Sequence, residues 1–337
     1  MKAMVVPAAG EPLEMQDLPM PEPGRGEVRV KVHACGVCHS DLFVTENLWP
    51  GLQFPRVPGH EVAGVVDAVG EGVTHFQSGD RVGLGWHGGH DGSCDACLRG
   101  RFIHCENAQI TGLSMNGGYA EYVVAPAVAL ARVPEGMAFA DAGPLLCAGV
   151  TTFNALRNAG ARPGDLVGVQ GLGGLGHLGV QFAHAMGFRV VAISRGAEKK
   201  DFAHELGADH YVDSEAGDLG QALQELGGAK VLLATAPNAE AISALVPGLG
   251  MEGVVMVVGA AGEPLTISAI DLISADRRVQ GWSSGTAIDS TDTMEFAQQH
   301  GIRPMIETFP LAQASEAIEH MKSGKVRFRS VIEVAGS

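Results

Sequence analysis

The feature that most limits what this chain can fold into is the run Gly171-Leu172-Gly173-Gly174-Leu175-Gly176. It stands between a strand-like segment, Asp165–Gln170, and an apolar-periodic segment, Leu175–Met186. Glycines spaced GxGxxG at a strand-to-helix turn permit a tight reversal, close approach of a pyrophosphate to the backbone, and close helix–strand packing. The N-terminus of the following helix adds unpaired N–H groups for the phosphates. The same alternation continues onward: Arg189–Ser194 reads as a strand, Ala197–Leu206 as a helix and Ala229–Thr235 as a strand. A helix from about Asn238 to Val246 and a strand Gly253–Val258 follow. Such alternation implies an α/β unit with a parallel, doubly wound sheet, here assigned to residues 149–285.

The flanks have a different texture. Within residues 1–148, Glu27–Val32, Val62–Val69 and Gly118–Val124 read as strands parted by glycine turns. Within 286–337 there is one amphipathic helix, Leu311–Lys322, and a last strand, Arg329–Val334. These two segments are assigned to a second domain. A chain of 337 residues, 46% hydrophobic and 18% charged, suits a compact two-domain enzyme. Its net charge of −15 argues against nucleic acid as a partner, which needs a basic face. The first residues, Met-Lys-Ala-Met-Val-Val-Pro, carry no apolar signal region, and no apolar run is long enough for a membrane span. The expected location is cytoplasmic.

Six cysteines in such a chain favour metal ligation over disulfides. One group is dispersed: Cys38-His39-Ser40-Asp41, His60-Glu61 and Cys147 followed by Thr151. Two thiolates and one imidazole leave zinc an open fourth position, as a catalytic site requires. The other group is local: Asp91, Cys94, Cys97 and, after seven residues, Cys105. That spacing reads as a closed structural zinc loop. Cys35 is left over, and is read as a small buried residue in preference to a redox partner of Cys38.

The motifs GVCHSD at 36–41, PGHE at 58–61, NGGYAEY at 116–122, LLCAGVTT at 145–152 and GLGGLG at 171–176, with the cysteine loop, occur in one order. In these the chain resembles the zinc-dependent medium-chain alcohol dehydrogenases, especially the microbial tetrameric and cinnamyl-alcohol-type branches. The resemblance implies a GroES-like β-barrel catalytic domain joined to a Rossmann domain, and a homotetramer or homodimer. It implies Cys38, His60 and Cys147 as catalytic zinc ligands, Asp41 as the carboxylate orienting His60, and Glu61 beside the metal. Ser40 is implied as the group that takes the alcohol's proton. His39 and Arg329 are implied to face the cofactor pyrophosphate, Thr151 the nicotinamide, and Trp49 and Trp86 the substrate, a small alcohol or aldehyde.

Three positions depart from the family's usual pattern. Its structural zinc loop commonly begins with cysteine, where this chain has Asp91; carboxylate is an acceptable ligand, so two zinc ions per chain are expected, with His90 the weaker substitute for Asp91. A histidine that relays protons in many relatives is replaced by Phe43. Most consequential is the end of the strand Arg189–Ser194. An NAD-binding fold places an acidic residue about 20 positions after the glycine motif, on the adenosine ribose. Here stand Ser194, Arg195 and then Lys199 and Lys200, groups suited to a 2′-phosphate, so NADP(H) is expected over NAD(H). The competing readings are a zinc polyol or amino-alcohol dehydrogenase, a zinc-free quinone or enone reductase, and a non-catalytic relative.

Overall fold

Six parallel strands, in the order His210–Asp213, Arg189–Ser194, Leu166–Gln170, Ala229–Ala234, Leu249–Val257 and Arg278–Gly281, form the sheet around the glycine motif. The chain enters in the middle at Leu166–Gln170, runs to one edge, then crosses back to Ala229–Ala234. The crevice outside the carboxyl ends of those two neighbouring strands is where open α/β sheets bind ligands. Leu166–Gln170 is buried throughout, as expected of a central strand covered on both faces. The two edge strands, His210–Asp213 and Arg278–Gly281, are not apparent from the sequence. They are short and partly exposed, with burial that follows no alternating pattern, so there was no period to detect.

This computed structural model describes residues 1–334. They divide into two compact units: one of Met1–Val150, Gly285–Gln299 and the residues from Arg303 on, the other of Thr151–Ser284 and His300–Ile302. The first unit is built on the long strand Glu27–Gly36, whose buried and half-buried residues alternate as a sheet with one apolar face demands. It pairs antiparallel with Val62–Val69 on one side. On the other side its first half meets Tyr122–Pro126 and its second half the tail strand Arg329–Glu333. The tail strand thereby carries Arg329 to the centre of the unit. Val28, Val30, Val32, Val62, Val66, Val82 and Leu84 fill the core beneath.

The strand expected at Gly118–Val124 begins at Tyr122. The preceding glycines instead pass against Pro58 and Gly59, so closely that a Cβ on Gly117 would lie 2.2 Å from the Gly59 carbonyl oxygen. Among the described residues no helix is long and apolar enough to cross a membrane.

Candidate active site

Three local structures bring the dispersed group together. A short 3-10 turn, His39–Asp41, follows the strand Glu27–Gly36 after Val37 and Cys38 and is capped in both directions: the Cys38 N–H donates to Asp41 Oδ2 at 2.8 Å, and the Ser40 N–H points at Cys38 Sγ. Gly59 sits at φ +100, where its missing Cβ leaves room for the ring of Tyr119 and the Cys35 sulfur. His60 can therefore turn inward. Cys147 lies in a π-helical turn, Leu145–Gly149, a distortion often found at functional sites.

The outcome is a buried cluster in which ligand atoms of Cys38, His60, Glu61 and Cys147 all lie within 4.8 Å of one another. His60 Nδ1 is 2.9 Å from Asp41 Oδ1, so the carboxylate fixes that nitrogen as the protonated one and leaves Nε2 as a lone pair. Nε2 is buried and has no partner. Asp41 is itself held by Tyr119, whose hydroxyl donates to Oδ2 at 2.8 Å. Tyr119 is fully buried, and its place in the motif Asn116-Gly117-Gly118-Tyr119 marks the segment but not what its hydroxyl touches.

Arg329 donates to Glu61 Oε1, both side chains being buried, while Oε2 is free. Burial pushes the Glu61 carboxyl up to about 7 against the pull of Arg329. Breaking a buried pair of this kind by removing one partner costs roughly 3–5 kcal/mol. The hydrogen bond from Cys147 holds the Cys38 thiol well below its ordinary range, against the effect of burial. The donor set fits zinc. At Zn–S distances near 2.3 Å, two thiolates on one tetrahedral ion stand about 3.8 Å apart, and Cys38 Sγ and Cys147 Sγ are separated by 3.8 Å.

The second group also converges: Asp91, Cys94, Cys97 and Cys105 meet within the same 4.8 Å limit, with Cys94 Sγ and Cys105 Sγ 3.8 Å apart. Backbone N–H groups of Asp91 and Asn107 point at Cys105 Sγ. Hydrogen bonds from Asn107, Cys94 and Ser93 hold the Asp91 carboxyl far below its usual range, so it is ionised and aimed by the loop. His90 is not in this group; its ring pairs with His87 and stacks on Phe102.

Beside His60 stands an aromatic corner. The Trp86 ring lies edge-on to His60 with centroids 5.1 Å apart, and Trp86, Trp49 and Phe43 contact one another pairwise at 5.3–6.4 Å in edge arrangements. Phe43, singled out in the sequence only for the histidine it replaces, is the third ring of this corner. Ser40 is half-buried beside Cys38, and His39 is exposed.

In the other unit the glycine run turns from Leu166–Gln170 into the helix Gly176–Ala185. Gly171 has φ +91, and a Cβ on Gly176 would lie 1.7 Å from the Gly171 carbonyl oxygen, which explains both glycines. Ser194 closes its strand buried, its hydroxyl 3.4 Å from Lys199 Nζ, with Arg195 exposed next to it. Thr151 is buried in the helix Val150–Asn158.

Residues 24–135 match the family model described as the alcohol dehydrogenase GroES-like domain, and residues 174–299 that of the zinc-binding dehydrogenases. An alcohol dehydrogenase of Penicillium expansum is 47% identical over 98% of this chain and 97% of its own length. The chain belongs to the zinc-dependent medium-chain alcohol dehydrogenase family. An alcohol dehydrogenase of Geobacillus stearothermophilus is 38% identical over 99% of this chain and 100% of its own. Among solved structures, a cinnamyl alcohol dehydrogenase from Sorghum bicolor superposes with a TM-score of 0.90 at 35% identity, covering 100% of this chain and 98% of that one. As a medium-chain alcohol dehydrogenase the protein is a zinc-binding, nicotinamide-dependent oxidoreductase.

Proposed function

We propose that this dehydrogenase interconverts primary alcohols and aldehydes, with a preference for planar aromatic ones, using NADP(H) before NAD(H). Cys38, His60 and Cys147 hold the catalytic zinc, and Asp91, Cys94, Cys97 and Cys105 the structural one. The observation that carries this reading is the unpartnered, buried Nε2 of His60 converging with two thiol sulfurs. When bound, zinc lowers an alcohol's pKa or polarises a carbonyl, and the nicotinamide takes or supplies the hydride.

The chain's own residues do the rest. Asp41, steadied by Tyr119, keeps the His60 lone pair pointed into the cluster. Ser40 relays the alcohol's hydroxyl proton, accepting it as its own hydroxyl proton leaves, and exposed His39 beside it offers the way to solvent that Phe43 does not. Trp86 and Phe43, with partly exposed Trp49 beside them, align a flat substrate by edge and face contacts, each worth about 0.5–1.5 kcal/mol beyond burial. This wall also favours an apolar alcohol over a polyol.

Phe43→Ala should lower kcat/KM for benzyl alcohol by roughly tenfold and leave ethanol within about threefold, an effect the size of one lost apolar contact. Equal losses on both alcohols would remove Phe43 from the substrate wall. For the structural site, dialysed wild type should return close to two zinc ions per chain, and Asp91→Ala close to one with a lower Tm. Elemental analysis giving two in the variant would mean that Asp91 is no ligand.

A further inference from the structure

Three carbonyl oxygens at the glycine loop, those of Gln170, Gly171 and Gly173, are engaged within the protein. Gln170 O accepts the Thr235 hydroxyl at 2.7 Å, and Gly171 O packs against Gly176. Gly173 O accepts twice from one residue: from the His177 backbone N–H at 3.1 Å and from ring Nδ1 at 2.9 Å. A carbonyl oxygen only accepts, so Nδ1 carries a hydrogen. The His177 side chain is completely buried and reaches back over the turn before it, as helical side chains do. On the open side, a Cβ on Gly173 would touch nothing within 4 Å. The N–H groups of Leu172, Gly173, Gly174 and Leu175 donate to no acceptor among the described residues.

The peptide joining Gly173 to Gly174 is flanked by two residues without Cβ atoms, so little but hydrogen bonding restrains its rotation. Turned over, it would exchange the Gly174 N–H for the Gly173 carbonyl on the open side and set a negative dipole against an anion. We propose that His177 is a positioning residue for the dinucleotide: its Nδ1–H holds the Gly173 carbonyl back, so that N–H groups alone meet the pyrophosphate. This rests on the dinucleotide reading above. Glycine spacing explains how the backbone can approach the phosphates; His177 supplies the orientation that spacing leaves free.

The test compares His177→Phe, which keeps a ring but no donor, with His177→Asn, whose amide N–H reaches about as far as Nδ1. Kd for NADPH is read from nicotinamide fluorescence on the zinc-loaded proteins, with Tm and saturated kcat alongside. The expected result is a rise in Kd of roughly tenfold for Phe, a value within about twofold of wild type for Asn, and kcat within about twofold in both. An unchanged Kd in His177→Phe overturns the inference, as does a rise in His177→Asn equal to that in Phe, which would make the effect one of ring packing. Should His177→Phe yield no folded protein, nitrogen-15 NMR of the wild type decides: the His177 Nδ1–H should exchange more slowly when NADPH is bound, and unaltered exchange overturns the inference. A wild type that binds neither NADPH nor NADH contradicts the dinucleotide reading itself, and this inference with it.

Discussion

His60→Ala is expected to abolish turnover, with kcat/KM falling by roughly a thousandfold or more while dinucleotide Kd stays within about twofold. The size follows from what the side chain does. Losing Nε2 leaves two sulfurs and a Glu61 carboxylate already held by Arg329, in place of the two-thiolate, one-imidazole set that suits zinc, and a Lewis acid worth several kcal/mol to the transition state weakens or goes with it. The selectivity follows from the division of the chain: His60 belongs to the first unit, whereas the glycine loop, Ser194 and Lys199 belong to the second. Asp41→Asn should do less, lowering zinc affinity by about 10–100-fold, as loss of a partner that orients a metal-bound histidine does. Steady-state turnover and fluorescence titration on the same His60→Ala preparation check this expectation. More than a few per cent of wild-type activity would contradict the role given to His60.

The second large effect concerns the cofactor. Wild type should use NADP(H) with a kcat/KM roughly ten to a hundred times that with NAD(H), since a charged hydrogen bond to the 2′-phosphate contributes about 1.5–3 kcal/mol. Ser194 ends its strand where a carboxylate would repel that phosphate. Lys199 Nζ is already within 3.4 Å of the Ser194 hydroxyl, and exposed Arg195 has a fork of donors to offer. Ser194→Asp combined with Arg195→Ile should invert the preference by adding the ribose acceptor and removing the phosphate partner. Initial rates with both cofactors at limiting concentration decide it, and equal or better use of NAD by wild type would contradict the assignment.

Where the sequence carried a strong local signal, the fold was legible. Leu166–Gln170 and Gly176–Ala185 fall within a residue or so of the expected segments because glycines punctuate the junction and both elements are buried. Arg189–Ser194 matches for the same reason of continuous burial. The helix expected at Ala197–Leu206 is shorter, Lys200–Glu205, since Ser194–Gly196 is followed by an irregular turn before the helix can start. His210–Asp213 and Arg278–Gly281 went unread because edge strands lack the burial that creates a pattern.

The candidate site divides along similar lines. Cys38, His60 and Cys147 are distant in sequence and each alone could be ordinary core, but the motifs around them mark them as a set, and the structure gathers them. The spacing of Cys94, Cys97 and Cys105 marked the second group, the family resemblance pointed to Asp91 as its fourth member, and the structure brings the four together. Tyr119, Phe43 and His177 could not be read for what they touch. A buried tyrosine, phenylalanine or histidine is ordinary core material until its neighbours are known. Their roles emerge only from tertiary contacts: a hydroxyl on Asp41, a ring on Trp49 and Trp86, an imidazole on the Gly173 carbonyl.

The most direct test of the catalytic assignment is zinc content measured together with alcohol turnover in Cys147→Ser, against wild type prepared in parallel. Cys147→Ser should lose one of two zinc ions per chain and essentially all turnover, with dinucleotide Kd unchanged. A variant that lost that zinc and still oxidised benzyl alcohol at the wild-type rate, or that kept both zinc ions and full activity, would contradict the placing of the chemistry at Cys38, His60 and Cys147.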